Sequence, residues 1–229
     1  MIVNQNARIE LLVRFRRFFG DVKQQFNIRF QKERTEIEKE GKQGMKKEKI
    51  RKIIEEGVNF QQLCRVFFKY EEAYRYYFPL KTGEKLFLGA EEDDFIIDGY
   101  SVRRFRDIKK VQKKEDKCLE INRLEGNPEK IVLPDVDVDD WKTVFLSLQK
   151  IGHNIIVEKK CLQEDEQLFC IGRIEKVGNK KVYMRYFDAM GVWDENLWEI
   201  HYSQITSVTF GSRYVEVFSK YLPPVPDTE

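Results

Sequence analysis

Phe105-Arg106-Asp107-Ile108-Lys109-Lys110-Val111, followed by Cys118-Leu119-Glu120-Ile121, has a counterpart later in the chain. It is Tyr202-Ser203-Gln204-Ile205-Thr206-Ser207-Val208, followed by Tyr214-Val215-Glu216-Val217. In both copies a strand-like stretch runs into an I-x-x-V step, and a second strand-like run follows within a few residues. Self-similarity at a fixed separation signals a duplicated unit.

Around the first copy, residues 63–68, 73–80, 85–88, 95–105 and 118–121 are rich in aromatic and branched side chains and are separated by turn chemistry such as Lys81-Thr82-Gly83; these read as five strands. The second copy offers five more at 155–161, 168–177, 181–188, 197–202 and 214–218, with Gly178-Asn179 as a tight turn. A helix precedes each set. Ile50, Ile53 and Ile54 follow Gly44 and end at Gly57, whereas Trp141, Val144, Phe145 and Leu148 form a stripe that Asp137 or Asp139 can cap and that ends near Gly152. The I-x-x-V step reads as the single helical turn that swings the last strand across a small closed barrel.

Gly172-x-Ile174-x-x-Val177, the Gly178-Asn179 turn and Val182-x-Met184-x-Tyr186 together resemble the second and third strands of the Sm-like small barrel, itself close to the SH3-like barrel. The likeness covers roughly residues 139–221 and, more loosely, 46–126. Residues 45–229 as a whole resemble uncharacterised bacterial proteins built from tandem small barrels. The fold class expected is therefore mainly β with helices (α+β): two tandem Sm-like or SH3-like barrels, each led by a helix, behind an N-terminal amphipathic helix. The domains expected are 1–44, 45–126 and 127–229, with 127–134 as the connection. For Sm-like proteins the resemblance implies RNA binding by a ring of barrels. That family carries a basic residue beside a glycine at the fourth strand, where this chain has Arg104-Phe105-Arg106-Asp107 and Ile200-His201-Tyr202-Ser203, so no uridine-pocket residue carries over.

The N-terminal segment has its own pattern. Ile9, Leu12, Phe15, Phe19, Val22, Phe26 and Phe30 recur at steps of three and four, with Arg14, Arg16, Arg17 and Lys23 mostly off that stripe. Such a helix can dock on a barrel or on a second copy of itself; its basic face also suits an anionic membrane surface, the less favoured reading. Met45 is an alternative start, because the Glu-Gly pair in EGKQGM can be encoded by purine-rich, ribosome-binding-site-like codons. Charge is uneven: residues 1–60 hold 15 Lys and Arg against 9 Asp and Glu, while 127–229 hold 12 against 17. An anionic partner is therefore expected to meet the N-terminal part. There is no signal-peptide pattern and no run of about 18 apolar residues, and Cys64, Cys118, Cys161 and Cys170 show no C-x-x-C spacing. The expectation is a cytoplasmic protein with buried thiols.

Candidate chemistry is sparse. Arg103, Arg104, Arg106, Lys109, Lys110, Lys113, Lys114 and Lys117 suit phosphate contacts, and Tyr74, Tyr76 and Tyr77 offer stacking faces for unpaired bases. Neighbouring carboxylates compete for the same cations. Trp193 and Trp198, placed in a hairpin between the third and fourth strands of the second copy, form a candidate protein interface together with Phe15, Phe19 and Phe26; the alternative is that the tryptophans fill the seam between barrels. Asp135-x-Asp137-x-Asp139 begins like a calcium loop, but Asp140 stands where glycine is needed and Leu146 where glutamate is needed. No histidine lies in a nucleophile motif, and no phosphate loop occurs. The expected function is a non-enzymatic binding or adaptor protein without a cofactor, contacting a protein partner or itself through barrel edges and the aromatic hairpin. Binding of RNA or single-stranded nucleic acid by the basic loop is the alternative; an enzyme is a further one, because a pocket between two barrels can assemble residues distant in sequence.

Overall fold

The structure, a computed structural model, describes residues 45–161 and 167–226. The N-terminal stripe, including Phe15, Phe19 and Phe26, lies outside the described residues. Chain order is α1 (Lys47–Phe60), β1 (Cys64–Phe68), β2 (Arg75–Thr82), β3 (Leu86–Asp93), β4 (Ile96–Arg104), a 3-10 turn (Phe105–Asp107), β5 (Ile108–Lys113), α2 (Lys117–Leu124) and α3 (Asn127–Lys130), then α4 (Trp141–Ile151), β6 (Ile155–Lys159), β7 (Leu168–Val177), β8 (Lys181–Phe187), β9 (Trp193–His201), β10 (Ser207–Phe210) and α5 (Arg213–Ser219).

The strands form one open, ten-stranded antiparallel sheet in the order β5-β1-β2-β3-β4-β10-β6-β7-β8-β9. This corrects the expectation of two separate closed barrels, and with it the Sm-like and SH3-like resemblance and the tandem-barrel reading. The finding that overturns them is the pairing of β4 with β10, which joins the halves through Arg103 opposite Ser207, Val102 opposite Val208, Ser101 opposite Thr209 and Tyr100 opposite Phe210. The likeness between the copies has a simpler basis: the halves follow the same strand order, β5-β1-β2-β3-β4 and β10-β6-β7-β8-β9.

The fifth strands also differ from expectation. Cys118-Leu119-Glu120-Ile121 lies in helix α2, whose first turn is capped by the Asp116 carboxylate accepting from Cys118 N at 3.2 Å, and Tyr214-Val215-Glu216-Val217 lies in helix α5. The strands come earlier, at the I-x-x-V step itself. Ile108 and Val111 are three residues apart and both buried, which a regular strand forbids because its side chains alternate. A bulge resolves this: Phe68 pairs with Ile108 and Phe67 with Lys110, so Lys109 is the extra residue and Val111 returns to the core face. In the second copy Thr206 N reaches Glu158 O at 2.8 Å while Ser207 pairs with the same Glu158, and Ile205 and Val208 both face inward.

The main core spans both halves. Leu86, Leu88 and Val102 from the first pack with Val136 and Val138 of the connection, with the α4 stripe of Trp141, Val144, Phe145 and Leu148, and with strands β6 to β10. Burying side chains of this size stabilises by about 1.5–3 kcal/mol each. The alternation of aspartates and valines at 135–139 is thereby explained, because Val136 and Val138 enter the core while the carboxylates stay exposed. The β2-β3 turn lies on this connection: Lys81 Nζ donates to Pro134 O (3.3 Å) and Val136 O (3.1 Å). Gly83 comes so close that a Cβ there would stand 2.1 Å from Val138 O. A smaller core under α1 gathers Ile50, Ile54, Val66, Phe68, Tyr77 and Phe87.

Candidate functional site

The junction of the halves leaves a cleft of about 450 Å³. Its floor comes from Ile50 of α1, Leu86 at the start of β3, Phe105 in the 3-10 turn, Trp141 at the first turn of α4 and Tyr202 after β9. Each is held by its own local chemistry. Asp140 caps α4 by accepting from Thr143 N at 2.9 Å, with Thr143 Oγ1 accepting from Asp140 N at 3.1 Å, and this fixes Trp141 in the floor of the cleft. Tyr202 stacks on Phe145 with centroids 5.7 Å apart and donates its hydroxyl to Gly178 O at 2.9 Å. Burial, with Asp140 adding to it, pushes the Tyr202 phenol up to about 12. Arg51 lies 4.2 Å over the Phe105 ring and donates to the carbonyls of Gly83 (3.1 Å) and Glu84, tying α1 to the β2-β3 turn.

The walls and rim are charged. Lys47 and Lys85 are exposed and make no side-chain ion pair or hydrogen bond among the described residues. Arg106 is exposed and stands 4.0 Å from an Asp107 oxygen. Arg104 is 8% exposed; its Nε pairs with Asp107 and its Nη1 donates to Ser203 O at 3.2 Å. Two carboxylates, Glu84 and Asp140, face five cations around the opening.

Of the basic residues singled out in the sequence, the structure brings Arg104 and Arg106 to this cleft and disperses the others. Arg103 points into the smaller core: it is 3% exposed, stands 3.6 Å over the Phe68 ring, pairs with Glu71 and reaches Tyr77 Oη at 3.3 Å. Lys109 is exposed on β5, and Lys110 is half-buried with its ammonium 6.0 Å from the Phe67 ring. Lys113 pairs with Glu56, Lys114 with Asp116 and Lys117 with Glu120. The faces of Tyr74 and Tyr76 are taken by the Arg65 guanidinium at 4.3 and 5.4 Å. The alternative of nucleic-acid binding by a basic barrel loop is thus corrected together with the barrel that was to carry it.

The aromatic hairpin is corrected as well. Trp193 and Trp198 belong to strand β9, and the turn before it is 188–192. Trp193 is buried edge-on to Phe187 at 5.3 Å, away from the seam, and donates Nε1–H to Pro223 O at 2.9 Å. Trp198 stacks on Tyr186 at 4.7 Å and donates to Asp194 Oδ2 at 2.9 Å. With one continuous sheet, the described residues form no barrel edges for the adaptor reading to use.

Sequence reasoning missed Lys47, Arg51, Lys85, Trp141, Tyr202 and Ser203 as neighbours. One signal was present: Arg104-Phe105-Arg106 and Tyr202-Ser203 occupy corresponding positions after the fourth strand of each half, and the structure joins them. Among the described residues no group of three or more His, Cys, Asp or Glu could hold a metal ion, and no helix is long and apolar enough to cross a membrane. No disulfide links the four cysteines, and burial pushes the Cys64 and Cys170 thiols up to about 12. Compared with protein-family models, curated proteins and solved structures, the chain matches none.

Proposed function

We propose that this protein binds a small molecule with an apolar body in the cleft between the two halves of its sheet, acting as a binding protein rather than an enzyme. The observation that carries this reading is the recess itself. Its volume of about 450 Å³ falls in the usual range for small-ligand sites, and it is floored by aromatic and aliphatic side chains from four elements and the turn after β9. Those side chains are held before any ligand arrives, by the α4 capping box, the Tyr202 to Gly178 bond and the Arg51 clamp. Preorganisation of this kind lowers the entropy cost of binding. No histidine lines the cleft, and its aromatic phenol is committed to a carbonyl, which favours retention of a ligand over its conversion. A cytoplasmic setting belongs to the same proposal and is supported by Cys64 and Cys170, which pack in the cores as small apolar side chains.

The test uses the full chain and the neutral fluorophore N-phenyl-1-naphthylamine. Saturable fluorescence enhancement is expected, and Ser203→Trp, which places an indole at an exposed lining position, is expected to weaken it at least about tenfold, or about 1.4 kcal/mol. Unsaturable or absent enhancement, or full binding by the Ser203→Trp variant, would defeat the proposal.

A further inference from the structure

We infer that the ligand of this cleft is a small acid, an anion of carboxylate, sulfonate or phosphate type whose charged head meets Arg104 and the rim while its apolar body covers the floor. This rests on the reading of the cleft as a ligand site and assigns that ligand its chemical class.

The strongest observation is at Arg104. More than nine-tenths of this side chain is buried, yet its guanidinium is only partly used: Nε pairs with Asp107 and Nη1 donates to Ser203 O. Among the described residues Nη2 makes neither a hydrogen bond nor an ion pair. The buried side-chain nitrogen left without a partner among the described residues is Arg103 Nε, so Arg104 Nη2 is not sealed in the core, and Arg104 is one of the residues that line the cleft. A guanidinium held rigidly by a carboxylate and a carbonyl, with one N–H pair left over in an apolar recess, is a preformed donor for an anion.

The surroundings agree. Lys47 and Lys85 stand at the opening with no side-chain partner among the described residues, and Arg106 is held only loosely near Asp107. Arg51 is spent on two carbonyls, Glu55 and the Phe105 ring. Asp140, one of the two opposing carboxylates, is occupied by the cap of α4. The balance at the mouth is therefore cationic, although residues 127–229 as a whole carry an excess of acids. A neutral apolar ligand would leave Arg104 Nη2 unsatisfied and gain nothing from the rim, whereas an acid satisfies both.

The experiment compares two probes with the same ring system on the full chain: 8-anilinonaphthalene-1-sulfonate and N-phenyl-1-naphthylamine, which lacks the sulfonate. The sulfonate is expected to bind about tenfold more tightly, the yield of one charge-assisted hydrogen bond. Lys47→Glu combined with Lys85→Glu reverses two exposed charges at the rim while Arg104 stays in place, and this variant is expected to narrow the gap by weakening the sulfonate. Equal affinities in the native protein, or a gap that the double variant leaves untouched, would overturn the acid inference and spare the ligand-site reading. Failure of both probes to bind would overturn both. Displacement of the sulfonate probe by 1-naphthoate against 1-naphthyl phosphate then identifies which head group the site prefers; displacement by 1-naphthol as effective as by either acid would count against the inference.

Discussion

Arg103 and Arg104 are neighbours on β4 that face opposite ways, as successive strand residues must. Arg103 closes a buried network with Glu71, Tyr77 and Lys160, and Arg104 opens onto the cleft. Burial alone would raise the Glu71 carboxyl, but Arg103 and Lys160 beside it hold it below its ordinary value of 4.5. A carboxyl depressed on folding contributes stability that is fully present above its unfolded value and is lost as pH falls through the folded one. Melting temperature is therefore expected to fall as pH drops below about 4.5, and Glu71→Gln to flatten part of that acid limb in a thermal-melt series. At neutral pH the same substitution removes the carboxylate that balances the buried Arg103 charge, so a loss of about 3–5 kcal/mol is expected by urea unfolding; a loss under about 1 kcal/mol would remove the network from the stabilising contacts. Composition alone marks this arginine pair as a surface patch, because nothing in the local sequence says that Glu71, thirty-odd residues away, will meet Arg103.

Among the elements, α4 was the most legible: its four-residue stripe is buried throughout, and Gly152 ends it in the left-handed region at φ 81°. The cap fell one residue from expectation, at Asp140, because 135–140 offers several acids and only backbone geometry selects among them. Asp140→Ala is expected to cost about 1 kcal/mol by chemical denaturation and, by loosening Trp141, to weaken ligand binding; unchanged stability would mean that the box does not hold α4. Strands β7 and β8 were also readable from long alternating runs. The four-residue runs CLEI and YVEV were not, since so short an apolar stretch fits a helix turn as well as a strand. Their assignment came from flanking contacts, Asp116 at α2 and Val215 packing against Phe187 and Trp193 at α5. The β2-β3 turn depends on Gly83 for its close approach to Val138. Gly83→Ala drives a methyl into that carbonyl, and a loss of about 1–3 kcal/mol is expected in thermal melts; a neutral outcome would show that the turn can lift off the connection.

At the scale of the whole molecule the decisive feature is the β4-β10 seam, and it has no local signature. Alternation patterns report which face of a strand is buried, not which strand lies beside it, so two copies with equal strand order read as two closed units when they are one sheet. A core that takes Leu86, Leu88 and Val102 from one half and α4 from the other predicts one cooperative unfolding transition for the described body. Val102→Ala is expected to lower that single transition by about 2 kcal/mol, whereas two separated transitions by circular dichroism and by tryptophan fluorescence would contradict the joint core. The cleft is a product of the same seam, since its walls come from both halves. The most direct measurement follows from the tryptophan count: the chain has 3, and only Trp141 lines the cleft. In a ¹⁵N-edited NMR titration of the full chain with N-phenyl-1-naphthylamine, the Trp141 indole N–H signal should move in a saturable way while those of Trp193 and Trp198 stay in place. A stationary Trp141 signal, or movement confined to the other two, would contradict a ligand site in the cleft.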